Sequence, residues 1–193
     1  MNRKKRKTGS AGAIIAILLI LEIILGIIAY LGYGYYIEQE HPLKYTNFVE
    51  RYSRDNGVDK YLVYAVIKTE SGFDSAAVSN VGARGLMQIM EDTFEWIKFK
   101  MGDEETEYID MFDPETNIRY GSYLVGYLYE EFGNVEAAMA AYHAGRGQVN
   151  KWLSDPDISS DGTHLDTIPI RDTAHYVSKI KKAMDIYIEL YDK

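Results

Sequence analysis

The spacing of apolar residues divides the chain into one long apolar segment and a series of amphipathic segments. Residues 11–37 carry a single charge, Glu22, and exceed the length of about 20 residues with which a helix crosses a bilayer core. Beyond residue 43, apolar side chains recur three and four positions apart, as on one face of a helix. The pattern therefore predicts an all-α domain over residues 43–193, preceded by one transmembrane helix.

Capping residues predict several helix boundaries within this domain. Asn56-Gly57 ends the first amphipathic segment, and Asp59 is placed to cap the next helix. Asp113-Pro114-Glu115 combines an N-cap, a proline at the first helical position and an acid in the first turn. Further helices are predicted around residues 94–97, over 135–144 and from about 172. The last is predicted to bury a stripe formed by Tyr176, Val177, Ile180, Met184, Tyr187 and Tyr191.

Charge near the N-terminus predicts the orientation of the apolar segment. Five basic residues at positions 3–7 precede it, and the positive-inside rule places them in the cytoplasm. An aromatic cluster at its far end is typical of a membrane interface: Tyr30, Tyr33, Tyr35 and Tyr36. We therefore expect a cytoplasmic N-terminus over residues 1–10, a single-pass anchor in the cell membrane over 11–37, and an extracellular domain.

A cleaved signal peptide is the alternative for this segment. Such peptides have an apolar core of roughly 7–15 residues and a small-residue cleavage site. The core here is longer, and bulky tyrosines stand where cleavage would occur, which favours a retained anchor. Glu22 is either a contact for a partner helix in the membrane or a tolerated, protonated residue, and the sequence leaves both open.

Composition narrows the classes of chemistry. The 193 residues include no cysteine, which excludes disulfides, thiolate metal sites and cysteine nucleophiles. The four histidines lack metal-ligand spacing and no H-E-x-x-H or G-x-S-x-G motif occurs, so we expect no metal and no cofactor. Beyond position 22 there are 16 basic and 28 acidic residues, a net charge of −12, which argues against a nucleic-acid partner. Acid/base chemistry by carboxylates and tyrosines remains.

Glu70 is the candidate acid, because it stands where the helix after Asp59 is predicted to end. There a carboxyl group meets the negative end of the helix dipole, and partial burial disfavours its charge. Both effects favour the protonated form that a general acid needs near neutral pH. A solvated glutamate in the last helical turn is the alternative that the spacing leaves open. Residues 71–85, rich in Gly, Ser and Asn, are predicted to form an ordered loop after it.

Four short motifs occur in a fixed order: E-S-G-F (70–73), S-N-V-G-A-R-G-L-M-Q-I-M (79–90), A-Y-H-A-G-R-G-Q-V (141–149) and I-P-I-R-D-T-A-H-Y-V (168–177). Together they closely resemble the soluble lytic transglycosylase (SLT) domain family, which shares its fold with goose-type lysozyme. The resemblance implies a lysozyme-like, all-α fold. It also implies an enzyme that cleaves the β-1,4 bond between N-acetylmuramic acid and N-acetylglucosamine in peptidoglycan, closing a 1,6-anhydro ring.

The resemblance also implies roles for particular residues. Glu70 is expected to act first as general acid and then as base toward the muramoyl C6 hydroxyl. The residues expected to bind substrate are Ser79, Gln88, Met90, Tyr142, His143 and Asp172. The chain departs from the family pattern at His143, where asparagine is usual, at Asp172, where glutamate is usual, and at Glu91, where proline is common. We expect activity to survive these departures because the acid is retained.

Two other functions are left open. A goose-type muramidase would hydrolyse the same bond, but those lysozymes have an aspartate at the position of Met90, and an apolar residue cannot activate water. Asp74, the nearest other carboxylate, is expected to cap the loop. The second alternative is a non-catalytic wall-binding module of a secretion or conjugation complex. The predicted partners are peptidoglycan strands and the membrane, in wall remodelling or in passage of a secretion or conjugation apparatus.

Overall fold

The computed structural model describes residues 9–192 and divides the chain into two units, Met1–Pro42 and Leu43–Lys193. The basic cluster at positions 3–7, predicted to be cytoplasmic, lies outside the described residues. The described residues of the first unit include one helix, α1 (Gly9–Glu40), which is about 48 Å long at 1.5 Å per residue. Its segment Gly12–Glu40 is long and apolar enough to cross a membrane. Its large apolar side chains are exposed on all sides, which suits an apolar solvent rather than packing of one face.

The second unit is built from helices. They are α2 (Thr46–Asp55), α3 (Lys60–Glu70), α4 (Glu91–Met101), a 3₁₀ helix (Tyr108–Phe112), α5 (Pro114–Phe132), α6 (Val135–Ala144), α7 (Arg146–Leu153) and α8 (Arg171–Tyr191). Among residues 9–192 there is no β-strand, although isolated bridges pair Arg84 with Val78 and with Ile89. The predicted all-α fold is therefore confirmed.

The predicted capping residues are found at the helix ends. Asp59 accepts a hydrogen bond of 2.7 Å from the Tyr61 amide and begins α3. Asp113 accepts one of 2.8 Å from the Thr116 amide and begins α5. Each bond satisfies an amide that has no partner inside the first turn of its helix. These boundaries are therefore encoded locally.

Helix α3 lies at the centre of the core. Residues 61–67 are all buried, and α2 and α8 pack against them, while α6 packs between α5 and α8. The buried stripe of α8 contains Tyr176, Val177, Ile180, Ala183 and Tyr187. Met184 and Tyr191, predicted to belong to that stripe, are only half-buried. Both Ala183 and Met184 fit the three- to four-residue spacing between Ile180 and Tyr187, so the sequence period alone does not decide which of them is buried.

Two short elements have no counterpart in the sequence prediction. Helix α7 buries only Val149 and Trp152, too few residues for a period to be recognised. The 3₁₀ helix is closed by reciprocal side-chain bonds of Glu107 and Asp110 rather than by an apolar pattern. The loop after α3 also extends to Met90, five residues beyond the predicted boundary.

Candidate active site

Glu70 is the last residue of α3, at the point where the central helix leaves the core. Its side chain is mostly buried, and Oε1 accepts a hydrogen bond of 2.7 Å from the hydroxyl of Tyr176. Burial raises the pKa of Glu70 to about 7, while the hydrogen bond from Tyr176 opposes that shift. The carboxyl group therefore exchanges a proton near neutral pH.

Tyr176 belongs to α8 and connects Glu70 to α6. Its ring is stacked on Tyr142 with centroids 6.5 Å apart, and the ring of His143 lies 4.6 Å from it. The sequence prediction assigned Tyr176 to the core stripe and omitted it from the site. Its position in the fourth motif, 168–177, could have indicated that it belongs to the candidate site.

A second group of contacts holds the backbone of the loop 71–90. Ser71 Oγ donates to the carbonyl of Leu86 over 2.8 Å, which attaches the loop to the end of α3. The hydroxyl of Tyr142 donates to the carbonyl of Met87 over 2.6 Å, which attaches it to α6. The loop is therefore fixed to both helices that flank Glu70.

Asn117, fully buried in α5, is the central polar residue behind this loop. Its Oδ1 accepts from the Met87 amide over 2.8 Å. Its Nδ2 donates to the carbonyls of Arg84, over 3.0 Å, and Met111, over 2.8 Å. One side chain thus satisfies three backbone groups. The sequence prediction did not include Asn117, because its neighbours in the chain do not indicate that this polar side chain is buried.

Gly85 occupies a position that no other residue fits. Its φ is +75°, a left-handed conformation that side chains disfavour. A Cβ atom there would lie 2.0 Å from the Met111 carbonyl oxygen and 2.3 Å from Asn117 Nδ2. The glycine therefore permits the approach of the loop to the 3₁₀ helix and α5.

Three predicted substrate-binding residues lie in the same loop. Gln88 has a left-handed φ of 49°, and its Nε2 donates to the carbonyls of Ala77 and Gly85. Ser79 Oγ accepts from the Ala83 amide over 3.0 Å, closing a turn. Met90 ends the loop, 39% exposed. Ser79 and Gln88 thus shape the loop, and Met90 presents an apolar side chain at its surface.

The remaining two predicted residues meet at the start of α8. His143 Nδ1 lies 3.1 Å from Thr173 Oγ1, and the neighbouring Asp172 is exposed in the first turn of the helix. Desolvation lowers the pKa of His143, and the charge of Asp172 opposes that shift. The imidazole is therefore mainly neutral at pH 7. Through Tyr176, the structure brings Glu70, Tyr142 and His143 together.

The other carboxylate considered from the sequence serves the loop. Asp74 Oδ1 accepts a hydrogen bond of 2.9 Å from the Ala76 amide, as its predicted capping position requires. Within residues 9–192 no group of three or more acidic or histidine side chains is placed to hold a metal ion. The chemistry that this arrangement supports is proton transfer by one carboxyl group beside two tyrosines.

The family follows from comparison with known sequences. The pattern of the transglycosylase SLT domain matches residues 47–163, and the chain belongs to that family. The soluble lytic murein transglycosylase of Salmonella typhimurium is 34% identical over 155 residues, which cover 79% of this chain and 24% of the relative. The membrane-bound lytic murein transglycosylase C of Sodalis glossinidius is 36% identical over 124 residues, 58% of this chain and 34% of the relative. The chain thus spans about a quarter to a third of the length of these curated relatives.

Solved structures agree with this assignment. The 70 kDa soluble lytic transglycosylase of Escherichia coli superposes with a TM-score of 0.71 at 28% identity, over 80% of this chain and 25% of that one. An inactive mutant of the lytic transglycosylase Slt from Pseudomonas aeruginosa superposes with a TM-score of 0.69 at 30% identity, over 79% of this chain and 25% of that one. The lysozyme-like fold implied by the four motifs is therefore confirmed.

Proposed function

We propose that this chain is a membrane-anchored lytic transglycosylase that cleaves peptidoglycan between N-acetylmuramic acid and N-acetylglucosamine. The observation that carries the proposal is Glu70, a mostly buried carboxyl group with a pKa of about 7 at the end of the central helix. Half of such groups are protonated at neutral pH, so the same residue can donate a proton and later accept one.

The reaction has two proton transfers, both at Glu70. The protonated carboxyl group donates its proton to the glycosidic oxygen, and the bond from that oxygen to C1 of the muramoyl unit breaks. The carboxylate then accepts the proton of the muramoyl C6 hydroxyl as O6 bonds to C1, which closes the 1,6-anhydro ring. No water is consumed, and Glu70 returns to its protonated state. The relative from Pseudomonas aeruginosa supports a role for one glutamate, since its inactive mutant has glutamine in place of a glutamate.

The other residues bind the sugar strand in this proposal. Tyr176 orients the carboxyl group through its hydrogen bond of 2.7 Å. Gln88 uses its donors inside the loop, which leaves its Oε1 to accept from the substrate. Met90 offers an adaptable apolar surface to a sugar face. The remaining substrate contacts are assigned to Ser79, Tyr142, His143 and Asp172.

In this proposal residues 11–37, within α1, span the membrane, residues 1–10 are cytoplasmic, and residues 43–193 form the catalytic domain outside the membrane. The support for the span is the length and apolar character of Gly12–Glu40, and the support for the orientation is the basic cluster at positions 3–7. The relative from Sodalis glossinidius, described as membrane-bound, supports the membrane association. A tethered domain confines cleavage to wall near the membrane, as local remodelling or passage of a secretion or conjugation apparatus requires.

Product analysis tests the proposal. The full chain in detergent micelles is incubated with purified peptidoglycan, and the products are identified by mass spectrometry. We expect anhydro-muropeptides, one water lighter than hydrolysis products, and a loss of about 10³-fold in Glu70→Gln. Glu189→Gln, an exposed glutamate of α8, is the matched control and should retain activity. Hydrolysis products would instead establish a muramidase, and the absence of any cleavage would leave a wall-binding module.

A further inference from the structure

Tyr108, the first residue of the 3₁₀ helix, contacts two points of the loop 71–90 that flank the segment 85–88. Its hydroxyl lies 2.7 Å from the carbonyl oxygen of Gly82 and 3.0 Å from that of Ile89, and it donates its one proton to this pair. Gly82 precedes the segment 85–88, and Ile89 follows it. One side chain outside the loop therefore connects the backbone on both sides of this segment.

The backbone between these two points forms a closed turn. The amide of Arg84 donates to the carbonyl of Ile89 over 3.0 Å, and the amide of Ile89 donates to the carbonyl of Arg84 over 3.1 Å. Gln88, within this turn, has a left-handed φ of 49°, which is uncommon for residues other than glycine. Such a conformation persists only where the surrounding contacts fix it. The carbonyl held by Tyr108 belongs to the residue directly after Gln88.

Core contacts hold Tyr108 itself. Its ring packs against the buried ring of Phe94, with centroids 5.5 Å apart, and Phe94 stacks on the buried ring of Tyr120 at 5.2 Å. The guanidinium of Arg84 lies over the ring of Tyr108, 4.0 Å from its centroid, and donates to the Tyr108 carbonyl over 3.3 Å. Burial raises the pKa of Tyr108 and the charge of Arg84 opposes that shift, so the hydroxyl keeps its proton at neutral pH. The donor is therefore in place before any substrate binds.

We propose that Tyr108 is a positioning residue for substrate binding, whose hydroxyl keeps the loop in the conformation that presents Gln88 and Met90 to the glycan strand. The inference rests on the proposed function for the identity of the strand. Tyr108 acts through the loop, since no hydrogen bond or ring contact described for residues 9–192 joins it to Glu70. Without the hydroxyl the loop also adopts conformations that do not bind, and the apparent affinity falls with the fraction that remains competent.

Steady-state kinetics of the full chain in detergent micelles, with soluble peptide-free glycan strands as substrate, test this role. Tyr108→Phe loses the hydroxyl but keeps the ring and its contacts with Phe94 and Arg84. We expect KM to rise about tenfold, with kcat within about twofold of wild type and the pH profile of kcat unchanged. Tyr52→Phe is the matched control, because it loses a comparable hydrogen bond, 2.9 Å long, to Glu115 of α5.

The separate effects on KM and kcat distinguish positioning from a loss of stability. Partial unfolding removes active enzyme, so it would lower the apparent kcat and leave KM unchanged. That result in Tyr108→Phe, or an equal rise of KM in Tyr52→Phe, would overturn the proposal.

Hydrogen exchange followed by mass spectrometry measures the loop without substrate. The amides of Gly82, Arg84 and Ile89 donate to carbonyls within the loop, so they are protected while the turn is closed. We expect exchange about tenfold faster in Tyr108→Phe, confined to residues 79–90. Unchanged exchange in this segment, or faster exchange throughout the domain, would contradict the proposal.

The outcome is separable from the proposed function. If the wild type cleaves no glycan, the catalytic proposal fails, and exchange in Tyr108→Phe together with calorimetric titration of the same strands decides the role of Tyr108. If cleavage with ring closure is found but Tyr108→Phe keeps the KM of the wild type, the inference about Tyr108 alone fails.

Discussion

Glu70 and the segment 85–88 are both part of the candidate active site, but different kinds of contact hold them. Around Glu70 the deciding feature is burial of a carboxyl group, offset by one hydrogen bond from Tyr176. Around 85–88 it is steric fit, because Gly85 approaches the 3₁₀ helix and the side chain of Asn117 binds three backbone groups. The contacts in the first region set the pKa of Glu70, and those in the second hold the loop backbone in one conformation.

The difference predicts opposite responses to substitution. In the region of Glu70 an isosteric change should alter activity and pH dependence while leaving the fold intact or more stable. At Gly85 a single added methyl group should destabilise the domain, because it would meet a backbone carbonyl and the side-chain amide of Asn117, which two hydrogen bonds hold in place. Active sites commonly store destabilising groups that the surrounding fold holds in place.

The largest stability effect is expected for Gly85→Ala. The new Cβ combines a left-handed backbone with contacts to a carbonyl oxygen and an amide nitrogen, a cost of about 4 kcal/mol. Gly82→Ala is the matched control in the same loop, with φ of +91° but no atom within 4 Å of its Cβ, and should cost about 1 kcal/mol. Urea unfolding followed by circular dichroism measures both. Similar values for the two would show that crowding behind the loop is unimportant.

The next effect concerns stability and pH in Glu70→Gln. The folded pKa, about 7, lies above the ordinary value of 4.5, so the folded state binds more protons between these pH values. The unfolding free energy of the wild type therefore falls as pH rises from 4.5 to 7. Glutamine carries no charge, so above pH 7 the variant should be about 3 kcal/mol more stable, and equal to wild type below pH 4.5. Denaturant midpoints of the two proteins across this pH range test the prediction. It would be wrong if the difference in stability between variant and wild type grew as the pH fell.

Removing two tyrosine hydroxyls, one in each region, compares the regions directly. Tyr176→Phe removes the hydrogen bond that lowers the pKa of Glu70, so the alkaline fall in activity should move to higher pH, with kcat reduced about tenfold. Tyr142→Phe removes a bond to the Met87 carbonyl, so it should reduce stability while the alkaline fall stays in place. The pH profiles of kcat for both variants show which hydroxyl affects the pKa of Glu70. A shift of equal size in both would show that the two hydroxyls act on one network.

The smallest effect is expected at Ser71, whose hydroxyl joins the two regions through its bond to the Leu86 carbonyl. Ser71→Ala should cost about 1 kcal/mol of stability, since one hydrogen bond is lost and the loop keeps its other attachments. Thermal unfolding measures this loss, with Ser178→Ala, exposed on α8, as the control. A loss as large as that of Gly85→Ala would mean that the loop depends on α3 rather than on Asn117.

Much of the local structure was predictable from the sequence. Asp59 and Asp113 are found at the helix starts that their positions indicate, because a cap bonds to an amide only two or three residues away. Glu70 is the last residue of its helix because Ser71 and Gly72 follow it, and Gly72 takes the left-handed φ of 60° that commonly ends a helix. The short helix α7 and the 3₁₀ helix could not be predicted, since neither is long enough to display a period.

The sequence by itself determined the apolar segment, the helical periods, the caps and the order of the four motifs, all properties of residues near one another in the chain. Only the tertiary structure decided that Tyr176 binds Glu70, a residue 106 positions away, and that Asn117 lies behind the loop. It also decided that Tyr108 holds the carbonyls of Gly82 and Ile89. The physical reason is that burial and long-range hydrogen bonds depend on which helix faces meet. A helical period shows that one face of a helix is apolar, but it does not show which other helix packs against that face.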